Sequence, residues 1–534
     1  MSTILYNGHI YQERNTFTEA LLIENGNIVS CGTSNEILAQ KNSNCELIDL
    51  QGKTVVPGFN DSHLHFYMSA VAFTTVDLYG LSSTQAVIQR ATEFLNTHPE
   101  AANQPLFGRG WNQDYFLDEA RLLNRFDLDQ ISTQIPIVFD RACGHVMSCN
   151  TRALEVCNIT AATPQPDGGQ FDLDELGEPL GIFRENALGL LQPLQQPLSV
   201  ENQVKLIETV SAVANSFGIT SVQTNDLTIG SSDALSLEEA FRLVSLNHPT
   251  VRVYHQISFT DIDTFSQRIN DGYDRGLNDF NRYGPLKIFV DGSLGARTAL
   301  MSSPYEDDPT TQGITCMTVD QLNQFVQIAD RNQIQVAVHA IGDGAMTMVL
   351  DAYSEVIQPT NNLRHGIVHC QITDLPLLNR FQSLDVVAYV QPIFLHYDMH
   401  IVENRVGQLL ASTSYAFNTM EKLGLHVAYG TDSPVEGLNV FHNIHCAVNR
   451  QDLNLFPENG FYPTECVDLS TAIDNLTIGS AYASFEEDRK GRLKPGYMAD
   501  LVVVSQSIFD LDPTLLKDVS VDMTMVNGRV VYTR

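Results

Sequence analysis

The chain has 534 residues, a formal net charge of −32, 43% hydrophobic and 18% charged residues, a globular composition with ample material for a large core. So acidic a protein repels phosphate backbones and anionic lipid surfaces, which disfavours nucleic-acid and membrane partners; solubility is the plain reading of the charge. Its nine cysteines are scattered, odd in number and without a Cys-x-x-Cys pair, which fits free thiols in a reducing cytosol better than a zinc ribbon or a disulfide scaffold.

The N-terminus lacks a basic stretch followed by a long apolar one, and no apolar run approaches the roughly 20 residues that span a bilayer. A cytoplasmic protein is therefore expected. Residues 3–56 read as short strands and turns, with hairpin signals at Asn7-Gly8 and Asn25-Gly26 between apolar residues such as Leu5, Ile23 and Ile28. The run Thr54-Val55-Val56 then leads through Pro57-Gly58 into Phe59-Asn60-Asp61-Ser62-His63-Leu64-His65. Side chains two apart in an extended segment point to the same side, so His63 and His65 can offer two imidazoles to one ion. Two ordinary polar histidines near a strand end are the alternative.

Residues from about 66 to 200 mix helical stretches such as 84–96 with strand-like runs at 105–108 and 136–139, an inserted α/β segment. From about 201 a rhythm sets in. Strand-like runs at 218–222, 251–254, 286–290, 336–339, 366–369, 386–390 and 426–430 are mostly separated by helical stretches, among them 201–216, 236–246, 319–331, 343–357 and 415–423. With the strand before His63 these make eight, the pattern of a parallel (β/α)8 barrel whose active site lies at the C-terminal ends of its strands. From about 490 the β character returns, with a turn and strand over 491–504 and a hairpin over 523–532 turning at Asn527-Gly528. The fold expected is α/β: a TIM barrel over 57–489, interrupted by the inserted segment, with a small β-sandwich domain built from 1–56 and 490–534. Two independent caps are the alternative for the terminal strands.

The polar candidates fall at the strand ends. Lys287 sits inside the fourth apolar run, where a lone ammonium is costly. His339 ends the fifth run, His369 ends the sixth, and Asp432 follows the eighth in Gly430-Thr431-Asp432-Ser433-Pro434. Ligands distant in sequence and brought to one axial point are a better metal argument than a local pair. Such a set suits zinc, iron, manganese or nickel, as one ion or as two.

This constellation resembles the amidohydrolase superfamily of metal-dependent hydrolases, and within it the amidohydrolase-3 group of YtcJ-like and N-substituted formamide deformylase-like proteins. The matching segments are Pro57–His65 as quoted, Asp291-Gly292-Ser293-Leu294-Gly295-Ala296-Arg297-Thr298-Ala299, Val338-His339-Ala340-Ile341-Gly342-Asp343, Gly430–Pro434, and Lys494-Pro495-Gly496 with Ala499-Asp500-Leu501 in the tail. The resemblance implies that His63 and His65 bind the more buried ion, with Asp432 as a further ligand and proton shuttle. It implies that His339 and His369 bind a second ion and that Lys287, N6-carboxylated, bridges the two; an uncarboxylated Lys287 paired to a carboxylate is the alternative. Zinc is the ion it favours. The implied chemistry is attack of metal-bound hydroxide on a carbon–nitrogen bond other than a peptide bond, in a small molecule and most simply a linear amide. Deamination, ester hydrolysis, decarboxylation, isomerisation and a non-catalytic scaffold are the other readings.

One departure stands out: where the family commonly has a glutamate before the sixth-strand histidine, this chain has Val368. His365 is less well placed than His369 to ligate. Further substrate-contact candidates are His145, Trp111 and Arg297, against a satisfied polar histidine, a core tryptophan and a structural salt bridge respectively. His396, His400, His442 and His445 read as solvated or packing residues. A homodimer is a common outcome for a soluble enzyme.

Overall fold

The computed structural model describes residues 2–98, 104–119, 121–141, 146–166, 168–194, 198–273 and 278–534. The chain divides into two compact units, one of residues 1–68 with 200–534 and one of 69–199.

The larger unit is built on eight parallel strands: Phe59–Leu64, Ile219–Thr224, Arg252–Phe259, Asn281–Phe289, Val336–Ala340, Gly366–His369, Val387–Val390 and Val427–Tyr429. They are hydrogen-bonded to one another in chain order. The eighth strand comes back into contact with the first, and the turn after it is tied there by Asp432 N–H donating to the His63 carbonyl at 2.8 Å. The result is a nearly closed barrel. Its strands are rich in buried Val, Ile and Ala, as a sheet covered on both faces requires. Helices Val200–Ser216, Ala234–Leu246, Val319–Arg331, Asp343–Ser354 and Phe417–Lys422 occupy the stretches read as helical. In the first of them Ile207, Val210 and Ala214 are buried, at the three- and four-residue spacing that puts one face against the sheet. Helix Val319–Arg331 opens on a reciprocal Thr318–Gln321 capping box.

The fourth strand starts five residues earlier than its apolar run suggests. Gly284-Pro285 reads as a turn, yet both residues lie within the strand. A register shift between His255 and Ile257 on the neighbouring third strand absorbs the extra residue. Gly284 is needed there because a Cβ would lie 2.3 Å from the Tyr254 ring.

The terminal segments form two further sheets. One has the order Asn27–Gly32, Ala20–Glu24, Ser2–Tyr6, Cys45–Asp49; the other has Arg529–Thr533, Val521–Val526, Leu501–Val504, Thr54–Pro57, His9–Glu13, Thr16–Thr18. Strands from both ends of the sequence thus share one sheet, and side chains from both sheets, Leu5, Ile23, Val55, Leu501 and Met525 among them, share one core cluster. Asn25-Gly26 and Asn527-Gly528 make hairpins, with positive φ at all four residues. Asn7-Gly8 does not. Its flanking strands Ser2–Tyr6 and His9–Glu13 enter different sheets, and a Cβ on Gly8 would lie 2.4 Å from the Leu50 side chain. Here the glycine serves a tight corner.

The 69–199 unit has its own sheet, of order Gly169–Leu173, Pro179–Glu185, Val146–Cys149, Ile137–Arg141, Leu106–Trp111, Val76–Asp77. Trp111 is fully buried in its core with Val76, Leu106 and Phe139, and its indole N–H donates to the Phe139 carbonyl at 3.1 Å.

Candidate metal centre

The barrel strands deliver their polar residues to one place. His63 closes on Asp432, with Nε2 3.5 Å from Oδ1, and His65 Nε2 lies 3.4 Å from the same oxygen. The His63 and His369 rings are 5.5 Å apart and the His339 and His369 rings 4.4 Å apart. Ligand atoms of His63, His369 and Asp432 all lie within 4.8 Å of one another. Lys287 is buried on the fourth strand, between the third strand and the fifth that carries His339.

Each imidazole has one nitrogen committed elsewhere. His63 Nδ1–H donates to Gln256 Oε1 at 2.6 Å, and Gln256 is itself oriented by donating to the Ser62 carbonyl. His65 Nδ1–H donates to the Asn225 carbonyl at 2.7 Å, and His369 Nδ1–H to Gln391 Oε1 at 2.8 Å. His339 uses the opposite face: its Nε2–H donates to the Gly292 carbonyl at 3.0 Å. An acceptor on one ring nitrogen fixes the tautomer and makes the other nitrogen an electron-pair donor, the usual way a protein prepares a histidine ligand. Gln391 thus supplies the acceptor for His369, and Val368, the departure noted in the sequence, is buried in an apolar cluster.

Electrostatics point the same way. Burial, reinforced by Lys287 and by the neighbouring rings, holds His63 well below the usual imidazole range; burial and His339 do the same for His369. His339 is pushed down to about 3, by burial first and Lys287 second. His65 goes the other way: burial opposes the charge, but Asp432 raises its pKa. Burial brings the Lys287 amine down to about 7, against the pull of Asp432.

Two atoms in this group are buried without a hydrogen-bond partner, Lys287 Nζ and Asp432 Oδ1. With the His63 proton on Nδ1, its Nε2 lone pair faces the carboxylate oxygen across 3.5 Å. Electron-pair donors gathered so closely in a dry site are stable around a cation. The residues present therefore fit a divalent metal, for which His63, His369 and Asp432 offer ligand atoms within 4.8 Å of one another, with His65, His339 and the buried Lys287 on the neighbouring strand ends. The backbone is also held in the left-handed region at His369 (φ 84°) and Asp432 (φ 56°), conformations costly for such residues and concentrated at functional sites.

Several supporting residues carried no sequence signal. Asn225 and Gln391 lie one strand away from the histidine they hold and Gln256 two strands away, and they follow no spacing. Asp61 is fully buried, accepts from the N–H groups of His63 and Thr431 and the Thr431 hydroxyl, and is pushed up to about 7, chiefly by burial. Asp291 accepts from the N–H groups of Leu300, Ile341 and Gly342 and knits the loop after the fourth strand to the one after the fifth.

Other candidates are placed differently. Arg297 makes a two-pronged ion pair with Asp307, both contacts at 3.0 Å, and Asp307 is shared with Arg405. That guanidinium is engaged in a loop-to-loop bridge and is not offered to a substrate carboxylate. Trp111 is core, as described, so its ring does not line a pocket wall. His145 lies outside the described residues. His365 accepts from Val336 N–H at 3.0 Å, and His396, His400 and His445 bond to the 452–453 segment.

Among solved structures, a metal-dependent hydrolase of Pyrococcus furiosus matches with a TM-score of 0.77 and 30% identity, over 96% of this chain and 100% of that one. Barrel, histidines and this likeness together define the class, a metal-dependent hydrolase. The sequence profile of the Amidohydrolase family matches residues 46–532, and the chain belongs to that family. The YtcJ protein of Bacillus subtilis (strain 168) is 30% identical over 538 residues, covering 100% of both chains. The N-substituted formamide deformylase of Arthrobacter pascens is 26% identical over 540 residues, covering 98% of this chain and 96% of its own.

Proposed function

We propose that this protein hydrolyses a carbon–nitrogen bond other than a peptide bond, in a small linear amide, using zinc held by His63, His65, Lys287, His339, His369 and Asp432. The observation that carries the reading is the commitment of one nitrogen on each of the four imidazoles, around a buried carboxylate oxygen and a buried amine that have no hydrogen-bond partner. The likeness to a deformylase of N-substituted formamides supports a linear amide as substrate.

Bound zinc would polarise the substrate carbonyl and lower the pKa of water from about 15.7 to near 7. The protein's own part is the handling of protons and position. Asp432 Oδ1, adjacent to His63 and His65, takes a proton from the attacking water and passes it to the leaving nitrogen. The buried Lys287 amine, populated in its neutral form near pH 7, would add carbon dioxide and release a proton, giving an anionic carbamate able to help hold metal. The described residues include no helix long and apolar enough to cross a membrane, and the reading takes a cytoplasmic enzyme, as a homodimer, with a small molecule as its partner.

The test is a mass-spectrometric screen of zinc-supplemented protein against N-formyl amines, N-acyl amines, N-acyl amino acids, cyclic amides and aminated purines or pyrimidines, with Asp432→Asn alongside. Products from a linear amide whose masses sum to substrate plus water, absent with the variant, are expected. A wild-type protein that binds no metal would sink the proposal.

A further inference from the structure

The fourth barrel strand is buried from Tyr283 to Ile288 and exposed at its last residue. Phe289 is 39% exposed, although it follows Lys287 by two positions and so shares its face of the sheet. The Lys287 Nζ lies 3.7 Å from the centre of the Phe289 ring, and the His339 ring lies 5.4 Å from it, tilted by 38°. A second aromatic ring, Phe394, stacks on His369 at 5.8 Å and 12°, and Phe394 is almost wholly covered. The two phenylalanines play different parts. Phe394 fixes the plane of a ligand ring. Phe289 keeps part of its ring exposed beside the site's lysine and the His339 ring, apolar area that would be stabilised by cover.

We propose that Phe289 is a specificity-determining residue that receives a flat apolar group of the substrate, attached close to the scissile amide. This rests on the amide-hydrolase reading above and deepens it. A substrate that brings its carbonyl to His339, His369 and Lys287 must pass within contact of the Phe289 ring, because that ring already touches two of the three. An aryl or planar alkyl substituent covers the exposed face and stacks on it; a small or strongly hydrated substituent leaves it wet. Apolar burial at such a site discriminates by contact area rather than by hydrogen bonding, so the preference is graded, not absolute.

The experiment compares zinc-loaded wild type, Phe289→Ala and Phe289→Leu on N-formyl amines bearing methyl, butyl and benzyl substituents, and on the matching N-acyl series with acetyl, butyryl and benzoyl groups, with metal content measured for each protein. The expected result is a wild-type preference for the benzyl or benzoyl member over its methyl counterpart, a fall of about tenfold in that kcat/KM ratio in Phe289→Ala, carried by KM, and a partial return in Phe289→Leu. Should Phe289→Ala fail to load metal, Phe289→Leu carries the comparison. A ratio unchanged by both substitutions overturns the proposal. If no amide is turned over by the wild type, the amide-hydrolase reading fails separately, and calorimetric binding of benzamide decides the role of Phe289: tight binding lost in the variants supports the aromatic wall, and equal binding removes it.

Discussion

Gly430 and His63 approach so closely that a Cβ on the glycine would lie 2.6 Å from the histidine's amide nitrogen and 2.7 Å from its carbonyl oxygen. This is where the eighth strand meets the first, and the backbone of His63, a proposed metal ligand, forms one wall of the seam. Backbone on that wall cannot rotate away as a side chain could. Gly430→Ala is expected to lower stability by about 1–3 kcal/mol and to lower metal content as His63 is displaced. Thermal melts and metal analysis of the purified variant would check both; a variant with wild-type melting and full metal would mean that the seam is looser than it looks.

The Gln256 side chain is expected to matter more to metal affinity than its lack of any charge suggests. Gln256→Leu removes the acceptor for His63 Nδ1–H, frees the ring to change tautomer, and is expected to weaken metal binding about 10–100-fold. Gln391→Leu is expected to do the same at His369. Competition with a calibrated chelator gives the affinities directly, and unchanged affinity in both variants would refute the role assigned to these acceptors.

Acid should destabilise the fold through His255. This histidine is fully buried behind the third strand, between Phe241 and Tyr283, with Nε2 on Asn281 Oδ1, and burial pushes it down to about 4 from 6.5. Below pH 6.5 the unfolded chain takes up a proton here that the folded chain refuses until about pH 4. Stability is therefore lost as pH falls across that window, by about 3 kcal/mol from this group. Urea unfolding of metal-free protein at pH 7.5 and pH 5 should show a smaller pH effect in His255→Leu than in wild type.

The buried ion pair between Arg252 and Asp500, 2.7 Å long, joins the first residue of the third barrel strand to the tail segment Ala499-Asp500-Leu501. Asp500 also accepts from Asn527 N–H at 2.7 Å. Asp500→Ala strands a buried guanidinium and is expected to cost about 3–5 kcal/mol. The Arg252→Met, Asp500→Leu double variant should recover part of that loss. Denaturant titrations of the single and double variants decide it, and a single variant as stable as wild type would show the pair to be dispensable.

The barrel was legible because most of its strands are short β-branched or aliphatic runs, though the first strand, Phe59–Leu64, is largely polar, and the apolar run read before it, Thr54-Val55-Val56, belongs to a terminal sheet. It was legible also because chemistry-bearing side chains that burial would otherwise penalise stand within or just beyond five of the strands: His63, Lys287, His339, His369 and Asp432. What sets up those residues was not. Asn225 and Gln391 act between neighbouring strands and Gln256 across the barrel from the third strand to the first, relations that follow from register and closure and not from spacing along the chain. Strand ends were blurred where local turn chemistry and tertiary pairing disagree, as at Gly284-Pro285, and Asn7-Gly8 turns the chain between sheets because Leu50 packs against it. The burial of Trp111 and the occupied fork of Arg297 depend on neighbours that no single segment reveals.

Strand Thr54–Pro57 is followed after one residue by the strand that bears His63 and ends just before His65, and one edge of it pairs with Leu501–Val504. A ribosome emits these segments far apart in time. While the barrel is being synthesised, the stretch leading to the first two histidines has an open edge, and its partner has not yet been made. Contacts of such sequence separation form late, so this edge is closed, and the first barrel strand anchored to the terminal sheet, only after the tail has been delivered.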